Sequence, residues 1–138
     1  MHQLSFPLRY QFTRTKDGLM IPVSLSSGAQ YEQTMAKVDT GAEHCLFRRE
    51  IAEMLALEVE SGLPNTFRTL TGTITGTIEA FGHEVTLQSF EFAIQSHVYF
   101  AKAYELPRNL LGSIGWLQHF KLGLVDYEEL LYLAPYNS

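Results

Sequence analysis

The chain has three aspartates, Asp17, Asp39 and Asp126, and one of them stands where a carboxylate can do chemistry. Asp39 ends the run Met35-Ala36-Lys37-Val38 and is followed at once by Thr40-Gly41-Ala42. A carboxylate at a strand end, beside a residue with no side chain, can come close to another backbone or to a substrate and act there as general acid or base. A plainer reading of the same tripeptide is an Asp-Thr-Gly turn capped by its own side chain. Asp17 sits in Lys16-Asp17-Gly18 and Asp126 precedes Tyr127-Glu128-Glu129, both turn-like settings. His44-Cys45 does not make an activated thiol, because neighbours on a strand point to opposite faces; Cys45 reads as a small buried hydrophobe. The five histidines, His2, His44, His83, His97 and His119, lack metal-ligand spacing and read as surface residues. No metal and no cofactor is expected.

The elements that must position Asp39 are mostly strands. Residues 5–12 and 19–25 read as strands joined through Lys16-Asp17-Gly18, since Asp-Gly tolerates positive φ. Pro7 and Pro22 place those strands at sheet edges or make them begin late, because proline donates nothing to a ladder. A turn at residues 26–29 leads into a strand over 31–39. Residues 48–57 carry a helical stripe of Ile51, Met54, Leu55 and Leu57 behind Phe47, with Arg48-Arg49 on a solvated face. Residues 66–78 are threonine-rich, bend at Gly72 and Gly76, and read as a hairpin with an exposed tip. Phe81-Gly82-His83-Glu84 reads as a turn. Val85 and Leu87 alternate in one phase and Phe90, Phe92 and Ile94 in the other, so a bulge or kink is expected near Gln88-Ser89. Strands are expected over 98–101 and 130–133, and a second short helix over 114–120 with Ser113 as N-cap. Phe90, Phe92, Tyr99, Phe100, Trp116 and Phe120 are expected to fill the core. The sum is an all-β, mostly antiparallel domain with one or two short helices, best accommodated as a small barrel.

Three segments in order give this pattern a family. Val38-Asp39-Thr40-Gly41-Ala42 resembles the active-site signature of the retroviral-type aspartic proteases, the retropepsins. Leu110-Leu111-Gly112 resembles that family's second signature, with 73 residues separating Asp39 from Gly112. Between them, Thr71-Gly72-Thr73-Ile74-Thr75-Gly76 lies where the family carries its flap hairpin, and residues 109–133 follow the family's closing pattern. The matches run over roughly residues 20–133, so the resemblance implies a retropepsin-like acid-protease barrel and, for residues 1–138, a single catalytic lobe.

What the resemblance implies for mechanism is specific. Two carboxylates facing each other cannot both ionise, so they share a proton; the ionised one activates a water and the protonated one polarises the peptide carbonyl. The chain supplies one Asp-Thr-Gly, so the resemblance implies a homodimer with Asp39 from each copy across a two-fold axis. By the same resemblance Asp39 is the acid/base, Thr40 braces the two loops across the axis, and Gly41 accepts substrate through its carbonyl. Ala42 and Glu43 line the next subsites, Leu70, Thr71, Gly72 and Thr73 form the flap tip, and Leu111 and Gly112 support the catalytic loop, with Leu111 in reach of substrate. Retroviral members usually carry an arginine after the second glycine. Ser113 stands there instead, so the interface must be built differently.

Composition narrows the remaining classes. Fifteen acidic residues against ten basic give a formal charge of -5, with no Lys/Arg run to track phosphates, so nucleic acid is not an expected partner. No apolar run reaches the roughly 18 residues of a membrane span, and no signal-peptide pattern opens the chain. One cysteine rules out an internal disulfide and suits a reducing compartment, so a cytoplasmic location is expected. Two functions follow: a homodimeric aspartic endopeptidase cutting extended peptides or partly unfolded proteins, or a catalytically idle retropepsin-like module that dimerises and binds peptides. An intact Asp-Thr-Gly favours the first, since an idle site has no need of a buried carboxylate pair that costs folding energy.

Overall fold

The computed structural model describes residues 4–71 and 74–138. Its strands are β1 (Leu8–Gln11), β2 (Met20–Ser27), β3 (Gln30–Val38), β4 (Leu46–Phe47), β5 (Leu63–Thr71), β6 (Ile74–Ser89), β7 (Phe92–Ala101), β8 (Asn109–Leu111), β9 (Phe120–Val125) and β10 (Leu130–Pro135). One α-helix, α1 (Arg49–Met54), follows β4.

Ile21, Val23 and Leu25 alternate on one face of β2 and are buried, so period-2 patterning turns that face inward. The chain then reverses through Gly28-Ala29, with Gly28 at φ +58, and β3 returns antiparallel from Ser27↔Gln30 to Met20↔Lys37. The larger sheet runs β2-β3-β8-β4-β7-β6-β5, and β2 also pairs with β6 at Ser24↔Gln88 through Ser26↔Thr86. That last pairing closes six strands into a barrel, with β5 continuing outward from β6. A three-stranded sheet, β1-β10-β9, packs against it. Its Leu131 and Leu133 are fully buried and join Phe47, Phe100, Trp116 and Ile21 in one core. The Trp116 Nε1–H donates to Ser89 Oγ at 2.8 Å, which satisfies its one polar atom inside that core.

Several local expectations give way to tertiary pairing. The Asp17-Gly18 turn forms, with Gly18 N–H donating to Thr15 O at 3.0 Å, yet its flanks do not pair with each other. β1 pairs with β10 and β2 with β3, because each buries its apolar face better there. Pro7 precedes β1, and Pro22 sits on the stretch of β2 outside the β6 pairing, as proline requires. Residues 81–84 are not a turn; β6 runs straight through them, and Gly82 is needed because a Cβ there would come 2.8 Å from His97 Cε1. The phase change after Leu87 is a tight hairpin rather than a bulge: Ser89 pairs with Phe92 around Phe90 at φ +57.

The helix is shorter than expected, and Met54 is 56% exposed while Ile51, Ala52 and Leu55 carry the buried face. The second helix is reduced to a 3-10 turn, Leu117–His119, started from Trp116 and not from Ser113. Gly115 at φ +102 breaks any helix through that stretch. Arg48-Arg49 is not simply a solvated pair. Arg49 donates to Glu60, Glu53 and the Lys102 carbonyl, and the Arg49 guanidinium holds the Glu60 carboxyl below the usual carboxylate range. No helix among the described residues is long and apolar enough to cross a membrane.

Candidate active site

Asp39 is the first residue beyond β3, and the reason it stays fixed lies in β8. Three residues, Asn109, Leu110 and Leu111, thread between β3 and β4, which are consecutive strands in the chain. β8 pairs parallel with β3, Val38 opposite Leu111, and antiparallel with β4, Leu46 opposite Leu110. The Asp39 N–H donates to Leu111 O at 3.0 Å. On the far side of the loop, Ser113 N–H donates to Ala42 O at 2.8 Å and Ile114 N–H to Glu43 O at 2.7 Å. The Asp-Thr-Gly loop is therefore tied down at both ends by the segment carrying Leu110-Leu111-Gly112.

Close approach sets the residue type at Gly112. A Cβ there would overlap the His44 carbonyl and come 2.6 Å from the His44 carbonyl carbon and 2.9 Å from Ala42 O. Only glycine lets the two loops meet. Within the first loop, the Gly41 N–H donates to Asp39 Oδ1 at 3.1 Å and the Ala42 N–H to Asp39 O at 3.1 Å. One carboxylate oxygen is thus oriented by the backbone that follows it.

Two buried polar groups hold this crossing together, Asn109 and Cys45. Asn109 is 3% exposed; its Nδ2 donates to Thr34 Oγ1 at 3.0 Å and Met35 O at 2.9 Å, while its Oδ1 accepts from the Arg48 N–H at 2.8 Å. It ties β3, β8 and the start of α1 with one amide. Cys45 Sγ accepts from the Gly112 N–H at 3.4 Å and faces Ile114 O at 3.8 Å. Burial pushes this thiol up to about 11, the Gly112 N–H opposing the shift only in part. The expectation of a buried, inert Cys45 fits both observations.

Asp39, Gly41 and Ala42 line the floor of a cleft of about 1000 Å³. Arg68 of β5 and Thr77, Ile78 and Glu79 of β6 form its roof, and residues 101–103, 105–108 and 110 its side wall. Thr40 and Glu43 are exposed beside the floor. Leu111 is 1% exposed and belongs to the core, so the wall contact expected of it falls to Leu110, which lines the cleft. Gly112 is buried under the floor. Leu70 and Thr71 end β5, opposite Thr75 and Ile74; Gly72 and Thr73, expected at the flap tip, lie outside the described residues.

The histidines differ from a surface reading. His44 packs edge-on against Phe67 and Tyr99, ring centroids 5.6 and 5.2 Å away, and His83 Nε2 lies 2.9 Å from Val59 O. His97 pairs with Glu84 at 2.9 Å and meets Tyr99 edge-on, ring centroids 5.1 Å apart. Among the described residues no group of His, Cys, Asp and Glu is arranged to hold a metal ion.

A strand-built barrel with Asp-Thr-Gly clamped beneath an open hairpin matches a known class. The sequence profile of the family described as aspartyl protease matches residues 21–113, and the chain belongs to that family. No curated protein sequence matches it. Among solved structures, a retropepsin-like aspartic protease from Rickettsia conorii is similar at 21% identity and a TM-score of 0.63, over 91% of this chain and 98% of that one. The EIAV protease, solved with the inhibitor HBY-793, is similar at 16% identity and a TM-score of 0.47, over 79% of this chain and 88% of that one. The fold is retropepsin-like, and family and fold together are those of a protease.

Proposed function

We propose that residues 1–138 form one catalytic lobe of a homodimeric aspartic endopeptidase that cuts extended peptides or partly unfolded proteins. The observation that carries this reading is the placement of Asp39: a strand-end carboxylate in the cleft floor, oriented by the Gly41 N–H and locked by β8. One lobe brings one such carboxylate, and the chemistry needs two, so a second copy supplies its own Asp39 across a two-fold axis.

In the assembled pair the ionised carboxylate takes a proton from a bound water as the water oxygen attacks the peptide carbonyl carbon. The protonated carboxyl donates to the carbonyl oxygen, giving a tetrahedral diol. Proton transfer to the amide nitrogen then breaks the C–N bond and releases acid and amine. Thr40 braces the two loops across the axis, the Gly41 carbonyl and Ala42 and Glu43 engage the substrate backbone, and residues 70–73 close over it. An extended peptide held this way adds a strand between floor and roof. Ser113 stands in place of an arginine, and its N–H makes one backbone bond, to the Ala42 carbonyl within the lobe.

Sedimentation of the full chain with and without a statine-type transition-state analogue tests the assembly, and a dimer tightened by the analogue is expected. The Asp39→Asn variant should stay dimeric and lose activity by at least about 10³-fold. A coupled carboxyl pair also gives a bell-shaped, acid-leaning pH profile. A dimer that binds the analogue and cuts nothing under any condition would make the chain a peptide-binding module instead.

A further inference from the structure

The cleft that Asp39 lines carries four cations, Lys37, Arg68, Lys102 and Arg108, beside the carboxylates of Glu79 and Glu105, on a chain whose formal charge is -5. Lys37 precedes Asp39 by two residues, so β3 directs both to the same face, about 7 Å apart along the strand. Arg108 enters the wall two residues before Leu110, which lies opposite Lys37 in the β3–β8 pairing. Both side chains reach the turn that carries Asp17. Arg108 Nε donates to Asp17 Oδ1 at 3.2 Å, and its Nη2 lies 3.1 Å from the same oxygen. Lys37 Cε and Nζ pass over Gly18, where a Cβ would stand 3.3 and 3.7 Å from them.

Asp17 thus pairs with Arg108, and no anion stands within ion-pair distance of Lys37 among the described residues. Among the described residues neither the Lys37 ammonium nor Nη1 of Arg108 has an acceptor, and both groups line the cleft. Elsewhere in the lining, Lys102 is paired with Glu79 at 3.6 Å, and Arg68 on the roof has no acidic partner among the described residues. A pocket with unpaired cations next to the reacting group does not suit an apolar side chain, which would desolvate them without compensation. A carboxylate would satisfy both.

We infer that the subsite formed by Lys37 and Arg108 takes an acidic side chain, so that the substrates are peptides carrying Glu or Asp at the residue flanking the bond to be cut. This rests on the endopeptidase reading for the position of that bond. Lys37 and Arg108 are specificity-determining residues, and Asp17 is a positioning residue that holds Arg108 against the wall and moderates its charge.

Two reduced-amide peptides, identical except for Glu or Gln beside the uncleavable bond, test this by fluorescence anisotropy on the full chain. The Glu peptide should bind about fivefold tighter at low salt, with the ratio falling toward one as salt screens the contact. Lys37→Gln should bring the ratio close to one and Lys37→Glu should reverse it. Asp17→Asn should raise it, which keeps a decision available if a Lys37 variant fails to fold. Equal affinity of the two peptides for the wild-type chain, or a ratio unmoved by these substitutions, overturns the inference. Cleavable versions of the same peptides separate the two readings. Equal cutting of Glu and Gln peptides overturns the specificity and leaves the peptidase; preferential binding without cutting overturns the peptidase and leaves the specificity. Binding of neither peptide overturns both.

Discussion

The floor and the roof of the cleft are built on opposite principles. The floor is a crossing of three chain segments in which β8 is bonded on both edges, held by backbone hydrogen bonds, the Asn109 amide and the Cys45 thiol. The roof is the outer part of β5 and β6. Below Ala80, β6 leaves its pairing with β7, and from there outward β5 is its one strand partner among the described residues. At its base the ribbon rests on apolar contacts: Phe67 and Ile78 pack on Leu46, Ala80, Tyr99, Ala101 and Leu106, and Phe67 meets Tyr99 with ring centroids 5.0 Å apart. A two-stranded ribbon is marginal on its own, whereas a strand bonded on both edges opens only with the barrel. A catalytic carboxylate needs the second kind of support, and a substrate cover needs the first.

The comparison breaks most visibly at glycine. In Gly112→Ala the new methyl group meets backbone of the facing loop at both His44 and Ala42, so no side-chain rotation relieves it. The two signature segments must separate. A loss of about 3 kcal/mol in chemical denaturation is expected, together with loss of activity. A variant as stable as wild type would mean that the loops are not clamped as described.

The next largest effect belongs to Asn109. Truncation in Asn109→Ala leaves the Arg48 N–H and the Met35 carbonyl without their partner in a buried setting. A cost of about 2 kcal/mol follows, measured by urea denaturation. Because the amide fixes β3 against β8, hydrogen exchange at Asp39 should accelerate together with that at Val38, while exchange in the roof stays as it was. Acceleration confined to α1 would show that Asn109 serves the helix and not the floor.

These two residues also mark the limit of what the sequence discloses. Asp39-Thr40-Gly41 and Leu110-Leu111-Gly112 were legible because the chemistry and the close approach restrict residue type at each position. The partner relations behind them were not. Asn109 looks like an ordinary polar residue before a strand, and nothing local says that its amide spans three segments. Lys37 and Leu110 were passed over because alternation tells which residues share a face but not which face meets the cleft. Residues 114–120 read as a short helix with Ser113 as N-cap. Gly115 overrides that expectation: its φ of +102 is outside the helical region, and its carbonyl is drawn instead to the Ser96 hydroxyl at 2.6 Å. The expected turn at residues 81–84 failed for the same kind of reason, since Gly82 makes room for a cross-strand imidazole rather than for a reversal.

Cys45 gives a sharper, chemically timed probe of the floor. Cys45→Ala removes the acceptor of the Gly112 N–H and should cost about 1–2 kcal/mol. The wild-type thiol reports the same region through pH. Its folded value is raised from the ordinary 9.0 to about 11 by burial. The folded chain therefore holds this proton more tightly than the unfolded chain. The stability tied to it is complete below about pH 9 and declines as pH rises toward about 11. Native-state labelling of the thiol should be slow at pH 8, and its rate should follow the equilibrium opening of the floor when denaturant is added. Rapid labelling at pH 8 without denaturant would mean that the floor opens far more readily than its bonding implies.

The smallest effect is expected from the same substitution made in the roof. At Gly76 a Cβ would meet nothing within 4 Å among the described residues, and the backbone does not adopt a positive φ there. Gly76→Ala should then lie within about 0.5 kcal/mol of wild type, with the narrower unfolded ensemble favouring the variant. What changes is the freedom of the ribbon next to the cleft. Alanine restricts backbone torsions that glycine leaves open, so closing over a peptide should cost less entropy while opening to release product becomes slower. The expected signature is a lower KM with an equal or lower kcat, read from steady-state kinetics beside an unchanged denaturation curve. Gly112→Ala predicts the reverse pattern, a collapsed denaturation curve with activity lost along with it. If both alanines behaved alike, floor and roof would be one mechanical unit, and the separation of clamped chemistry from movable cover would fail.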